Sequence, residues 1–266
     1  MPDDVVLSES RGAVRLLTLN RPDRLNAWTG ALETRYFTLL DEAEADPDVR
    51  VIVVTGAGKG FCAGADMDML QGIGEAGGVS GEPRKHYPPY YATTLNKPVI
   101  AAINGACAGI GLVHAMMCDI RFAASGAKFT TAFARRGLIA EHGVSWVLPR
   151  LIGPAKAMDV LLSGRVFLAE EAKDLGMVNG VFAPDALLDE TLAYANDLAA
   201  NSSPSSMAVM KRQIWAALSQ SIAEATGEAD AFMRQSLREA DFKEGVASFV
   251  EKRPPAFNPV QDWAKG

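Results

Sequence analysis

Two segments of the chain run from a short apolar stretch through a glycine-rich loop towards a helix. This recurrence constrains the fold more than any other feature. The stretch Val99–Ile103 feeds Asn104-Gly-Ala-Cys-Ala-Gly-Ile-Gly111, and an apolar helical pattern over 112–118 follows. The β-like run 51–55 leads to a second loop, Gly60-Phe-Cys-Ala-Gly-Ala-Asp66. A glycine loop that opens a helix presents unpaired backbone N–H groups at the positive end of the helix dipole. Such a place holds a bound anion, or an oxyanion that forms during a reaction. Two such places can give one N–H each to a single oxygen.

At 266 residues the chain is long enough for one large domain or two small ones, with a substantial core. A hydrophobic share of 48% and a charged share of 22% fit an ordinary soluble globule. The formal charge of −6 argues against a general nucleic-acid binder, so an anionic ligand needs a local basic patch. The three cysteines, Cys62, Cys107 and Cys118, are an odd number in a long chain and point to free thiols in a reducing cytoplasm. Met1-Pro-Asp-Asp starts no basic-then-apolar leader, so no signal peptide is expected. Residues 99–118 carry no Asp, Glu, Lys or Arg over about the length of a membrane span. Asn104-Gly105 interrupts that run, and a buried core segment without membrane contact is the expectation.

Residues 15–19 read as a strand, and 30–45 as a helix with Leu32, Tyr36, Leu39, Leu40 and Ala43 on one face. Further strands are expected at Ile120–Ala124 and Lys128–Thr130. Helices follow at about 144–151, 154–162, 169–175, 184–201, 204–219 and 221–250. Between the two loops, residues 72–81 hold five glycines, and Pro83, Pro88 and Pro89 come next, a composition that suggests a mobile segment or lid. The whole is an α/β fold: a core over 1–200 and a helical region over 201–266, in one functional unit.

A dinucleotide-binding fold fits poorly. The 104–111 loop comes after a hundred residues instead of at the first strand, and the chain has no Tyr-x-x-x-Lys pair. Neither loop ends in the Lys-Ser/Thr of a phosphate-binding P-loop. His86, His114 and His142 lack ligand spacing and there is no Cys-x-x-Cys, so no metal site is expected.

Phe61-Cys-Ala-Gly-Ala-Asp66, Lys97-Pro-Val-Ile-Ala-Ala-Ile-Asn-Gly105 and Ala115-Met-Met-Cys-Asp-Ile120 together resemble the crotonase (enoyl-CoA hydratase/isomerase) superfamily. Leu19-Asn-Arg-Pro22, Leu25-Asn-Ala27, Ala169-Glu-Glu-Ala172 and Gly176-Met-Val178 add to the resemblance. It implies a crotonase-like spiral of ββα units with a C-terminal helical trimerisation region, assembled as a homotrimer or a dimer of trimers. It also implies an acyl-CoA substrate and no cofactor beyond the coenzyme A that the substrate carries. By position, the oxyanion N–H donors are those of Ala65 and Ile110. Ala63, Ala65, Asp66 and Met67 surround the adenine end of coenzyme A, and Arg24, Leu25 and Ala27 line the same channel. Phe249 and Lys252 match C-terminal positions that reach coenzyme A, sometimes across a subunit interface. The phosphates need Arg24, Lys59, Lys85 or Lys252 nearby.

The hydratases of that superfamily place two glutamates at positions matching Val113 and Phe133, both apolar here. Neither side chain can transfer a proton, and both are expected to line an acyl pocket. Each missing group removes ~10²–10⁴-fold of acid–base help and leaves the oxyanion contribution intact. Glu141, in Gly137-Leu-Ile-Ala-Glu-His-Gly143, matches the position of a functional aspartate in dienoyl-CoA isomerases and 4-chlorobenzoyl-CoA dehalogenases. Burial beside an apolar pocket is expected to raise its pKa to a useful value, with His142 as an assisting base. The favoured reading is therefore enolate chemistry with isomerase-type proton transfer. The alternatives are hydration by an atypical acid–base pair, a CoA-thioester hydrolase or dehalogenase using Glu141 as nucleophile or base, and a non-catalytic acyl-CoA-binding protein. Cys107 is read as a packing residue, Asp119 as a structural hydrogen-bonding group.

Overall fold

The computed structural model describes residues 5–76 and 87–261. The chain opens with an antiparallel hairpin of β1 (Val6–Arg11) and β2 (Val14–Leu19), turning through Gly12 at φ +64. Helix α1 (Gly30–Ala45) starts where the Thr29 side chain accepts a hydrogen bond from the Leu32 N–H, a cap that satisfies one of the first-turn donors. It buries Leu32, Tyr36, Phe37, Leu39, Leu40 and Ala43, the face expected from the sequence with Phe37 added.

From there each turn of the chain lays one strand in a large sheet and a shorter one in a second sheet. β3 (Val51–Gly56) is followed by β4 (Gly60–Cys62) and α2 (Met67–Glu75). β5 (Val99–Ile103) leads to β6 (Ala106–Ala108) and α3 (Gly109–Met116). β7 (Ile120–Ala124) leads to β8 (Lys128–Thr130), and then come α4 (Val144–Ile152), α5 (Pro154–Ser163), β9 (Phe167–Leu168), α6 (Ala169–Leu175) and β10 (Gly180–Phe182). The large sheet runs β1-β2-β3-β5-β7-β10, parallel from β2 onwards, and the small one β4-β6-β8-β9. This is the spiral that the resemblance implies. β3 and β5 are buried along their whole length, which is why both read as continuous apolar runs without alternation. Each fully buried Val, Leu or Ile there contributes ~1.5–3 kcal/mol.

Helix α7 (Leu187–Asn201) lies across β2, β3, β5 and β7. Then α8 (Pro204–Ala217), α9 (Ile222–Ser236) and α10 (Ala240–Glu251) form the C-terminal helical region. Lys211 on α8 ties that region to the core. Its ammonium reaches Asp119 at 2.7 Å and donates to the Ala92 and Lys97 carbonyls at 2.8 and 3.0 Å.

Several local expectations change. The continuous helix expected over 221–250 is broken, because Glu239 turns extended (φ −74, ψ 156) and starts α10. No Gly or Pro marks that break. Helix α3 begins at Gly109 instead of 112, with Gly109 at φ +49. Gly72 and Gly74 belong to α2 and not to a loop. Residues 77–86 of the expected lid lie outside the described residues. All three cysteines are buried free thiols, and burial pushes Cys62 and Cys118 up to about 12. Among the described residues no helix is long and apolar enough to cross a membrane.

Candidate active site

Two asparagines, the buried Asn26 and the half-buried Asn104, set the shape of the loop over 57–66. Asn26, with no exposed surface and φ 56, donates to the Gly60 carbonyl at 2.7 Å and the Ala57 carbonyl at 3.0 Å. Its own oxygen accepts the Arg21 N–H at 2.7 Å. Asn104 accepts the Gly56 N–H at 3.1 Å and donates to the Gly58 carbonyl at 3.0 Å. Asparagine suits the first position because its short polar side chain tolerates a left-handed backbone.

The parallel register Gly60↔Ala106 and Cys62↔Cys107 puts the ends of β4 and β6 side by side. The two loops that leave them then touch. A Cβ placed on Gly109 would lie 3.7 Å from the Gly64 Cα, and one on Gly64 would lie 3.3 Å from the Ala108 carbonyl oxygen. One on Gly111 would lie 2.5 Å from the Cys62 carbonyl oxygen. The absence of side chains at Gly64 and Gly111 is what lets the loops close.

Ala65 and Ile110 are the residues that follow the touching glycines. Trp28 pairs with Ala65 as a short parallel bridge, donating to the Gly64 carbonyl at 2.7 Å and accepting the Asp66 N–H at 3.0 Å. That pairing turns the Ala65 N–H to the side away from Trp28. Ile110 is the second residue of α3, so its N–H lies in the first turn, where the helix offers no carbonyl partner. Among the described residues neither N–H takes a backbone acceptor. Two free amides on adjoining loops can hold one oxyanion.

A narrow cleft, its walls too close together to admit a water molecule, lies at Ile110. Its other walls are Glu33 and Phe37 of α1, Tyr87 and Pro89, His114 of α3, and His142. His114 is buried and stacks on Trp28 with ring centroids 4.2 Å apart. Phe37 stacks on Tyr87 at 5.4 Å. Asp41 accepts hydrogen bonds from both Tyr87 and Tyr91, and these hold the Tyr87 phenol above its ordinary pKa. The Trp28 indole N–H donates to Glu33 Oε2 at 3.0 Å.

His142, and not Glu141, lines this cavity. Glu141 sits behind it, 3.9 Å from His142 Nε2, and its side chain is 35% exposed, so the expected apolar burial is not found. Val113 and Phe133 are buried in the core and do not line the cavity. The helix presents His114, the next residue after Val113, to the cavity instead.

Around the Gly60–Asp66 loop the structure gathers most of the residues assigned to coenzyme A. Leu25 and Met67 are exposed, Ala27, Ala63 and Ala65 are half-buried, and the Ala63 N–H donates to the Leu25 carbonyl at 3.0 Å. The Asp66 side chain is already engaged. It caps α2 through the Asp68 N–H at 3.1 Å and pairs with Arg21 at 2.9 Å. The hydrogen bond from Arg21 holds its carboxyl below the usual range. Arg24 is exposed and meets Asp68 at 3.3 Å, and Lys59 is exposed in the turn before β4. Lys85 lies outside the described residues. Phe249 and Lys252 are not part of this gathering. Phe249, 85% exposed, borders a groove with Phe242, Val246 and Phe257, and Lys252 ends α10 in the left-handed region at φ 55.

Glu33, Phe37, Tyr87, Asp41 and His114 were not singled out from the sequence. A signal for some of them existed: Glu33, Phe37 and Asp41 recur every four residues along one face of α1, and Ile110 and His114 stand one turn apart on α3.

The chain matches the family model for enoyl-CoA hydratase/isomerase over residues 9–260. The 1,2-epoxyphenylacetyl-CoA isomerase of Escherichia coli (strain K12) is 35% identical over 258 residues, covering 96% of this chain and 98% of that protein. A probable enoyl-CoA hydratase of Rhizobium meliloti (strain 1021) is 37% identical over 257 residues, covering 97% and 99%. A crystal structure of a probable enoyl-CoA hydratase/isomerase from Mycobacterium abscessus superimposes with a TM-score of 0.88 at 32% identity, covering 96% and 99%. An enoyl-CoA hydratase structure from Mycobacterium marinum is 54% identical with a TM-score of 0.69, covering 80% of this chain and 97% of that one.

Proposed function

The chain belongs to the enoyl-CoA hydratase/isomerase family, and on that premise we propose that it moves a proton within an acyl-CoA thioester by way of an enolate. The N–H groups of Ala65 and Ile110 hold the thioester oxygen, each contributing ~3 kcal/mol where charge develops. Glu141, acting through or beside His142, carries the proton from one carbon to another. The observation that carries this reading is the contact of Gly64 with Gly109, which brings two unpaired amides onto adjoining loops. Isomerisation ranks above hydration because Val113 and Phe133 supply no acid. The flat walls formed by Phe37, Tyr87 and His114 favour a planar acyl group, unsaturated or aromatic, and the relative named as an epoxyphenylacetyl-CoA isomerase agrees with that preference.

Coenzyme A enters as part of the substrate, along the edge formed by Arg24, Leu25, Ala27, Ala63, Asp66 and Met67, and no other cofactor is required. The protein works as a trimer or a dimer of trimers. Ile222, Phe249 and Val250 on α9 and α10 are more than two-thirds exposed and call for a covering surface, which would also give Phe249 and Lys252 a partner's substrate to reach. Three buried thiols suit a cytoplasmic setting.

The test is solvent-deuterium exchange into enoyl-, dienoyl- and β-ketoacyl-CoA, followed by mass spectrometry. Exchange or isomerisation is expected in the wild type, with a loss of at least ~10²-fold in Glu141→Gln. Binding without exchange or turnover on any of these thioesters would leave only an acyl-CoA-binding protein. An acyl group trapped on Glu141 would replace the proton-transfer role with the nucleophilic one.

A further inference from the structure

We propose that Glu33 is a second acid–base group of this site, serving the face of the acyl chain that lies towards α1. The inference rests on the thioester reading above. Glu33 lines the cavity at Ile110 together with His114 and His142, so a carboxylate stands on a wall formed by a different element from the one that carries Glu141 and His142. A solvated glutamate in the first turn of a helix needs no partner beyond the helix dipole. Glu33 is different: it is half-buried, and the indole N–H of Trp28 holds its Oε2 at 3.0 Å. No donor among the described residues reaches Oε1, which leaves that oxygen available to a ligand.

Trp28 joins this carboxylate to the oxyanion loop. Its backbone brackets Ala65, its ring stacks on His114 at 4.2 Å, and its N–H fixes Glu33. The same residue therefore positions one proposed oxyanion donor and one proposed proton acceptor. The step balances without a further reactant. Glu33 takes a proton from an acyl carbon, the C–H electron pair becomes the enolate double bond, and the thioester carbonyl pair moves to the oxygen between the Ala65 and Ile110 amides. Return of the proton regenerates the carboxylate. A chain with apolar residues at 113 and 133 thus regains two proton-transfer groups from two other elements.

Acetoacetyl-CoA tests this, because it ionises to an enolate with its own near-ultraviolet band and needs no turnover. The other titratable groups around the cavity are His114, His142, Tyr87, Asp41 and Glu141, and all are left in place. In Glu33→Gln the removal of a negative charge from the wall is expected to move the midpoint of enolate formation on the protein down by about one pH unit. Deuterium exchange should fall at least ~10²-fold with the dissociation constant of the neutral keto form unchanged. Glu33→Asp should recover part of the exchange, and unfolding curves confirm that each variant is folded. A wild-type band with a midpoint and an exchange rate that Glu33→Gln leaves unmoved overturns the inference alone. A wild type that never binds the enolate overturns the thioester reading and this inference with it.

Discussion

Gly64 and Gly109 pack backbone against backbone: a Cβ on Gly109 would stand 3.7 Å from the Gly64 Cα, and Gly64 itself holds φ +103. The two residues are 45 apart in the chain and come together because β4 and β6 pair in parallel register. The amides of Ala65 and Ile110 inherit their places from this contact.

Gly64→Ala is therefore expected to cost stability and function together. A side chain at φ +103 is strained by ~1–3 kcal/mol, and its Cβ would press on the Ala108 carbonyl oxygen at 3.3 Å. Displacing one amide by about 1 Å should lower acyl-CoA turnover by ~10²-fold. Chemical denaturation and steady-state kinetics on the same preparation check both. Gly72→Ala, at a site where a Cβ meets nothing within 4 Å, is the control and should keep full activity.

Asp66 should be a structural carboxylate with a pH signature. Arg21 holds its folded pKa below the unfolded value of about 3.9. The pairing therefore stabilises the protein at pH above that value, and the stabilisation is lost as the pH falls through the folded value. Asp66→Asn is expected to lose about 1 kcal/mol near neutrality through the weakened cap and ion pair. The gap to wild type should close below about pH 4. Urea titrations across that range read it directly, and a gap constant with pH would show that the charge plays no part.

Lys211 is the connection between α8 and the core whose loss should be felt most. Its side chain is 6% exposed and its Asp119 partner 16%. Lys211→Met should cost about 3 kcal/mol, because it leaves Asp119 without its buried countercharge and orphans the Ala92 and Lys97 carbonyls. Thermal unfolding measures this. The double variant Lys211→Met with Asp119→Asn should recover part of the loss, since Asp119 also accepts the Val99 N–H at 2.7 Å, a bond that asparagine retains.

Asp41 anchors the tyrosine wall of the cavity. Asp41→Ala removes the acceptor of both the Tyr87 and Tyr91 hydroxyls. Both phenols should then ionise at lower pH, because Asp41 contributes to raising them, most directly for Tyr87. A spectrophotometric tyrosine titration reads the shift. Loosening Tyr87 should raise the KM for acyl-CoA by roughly tenfold, in line with the cost of misplacing a positioning group. An unchanged titration would remove Asp41 from this role.

His142 separates two ways of using Glu141. With His142 lining the cavity and Glu141 3.9 Å behind it, His142→Ala should lower exchange about as far as Glu141→Gln if the imidazole relays the proton. A small effect of His142→Ala beside a large effect of Glu141→Gln would assign the transfer to the carboxylate directly.

The buried strands and α1 were legible in the sequence because their burial leaves a periodic or continuous apolar record: 51–55, Val99–Ile103, Ile120–Ala124 and the Leu32–Tyr36–Leu40 face all stand where expected. The strands β4, β6 and β9 are two or three residues long and lie against glycine-rich or turn segments. They exist only by pairing in the small sheet, β4 with β6 and β9 with β8, so no local pattern announces them. The end of α9 at Ser236 has no Gly or Pro to mark it. The Asp241 carboxylate at the start of α10 takes a hydrogen bond from Ser203 at 2.5 Å, a partner 38 residues away.

By itself the sequence determined the strand–glycine loop–helix recurrence, the loss of acids at Val113 and Phe133, and the resemblance that names the family. These depend on residue type and short spacing, which a chain carries at every point along its length. The tertiary structure alone decided which groups share the cavity at Ile110. It set His142 in front of Glu141, brought Glu33 from α1 to the same walls, and committed Asp66 to Arg21. Those relations join residues tens of positions apart, and they follow from sheet register and from the face each helix turns inwards. Two glycine loops become one site only after β4 and β6 have paired.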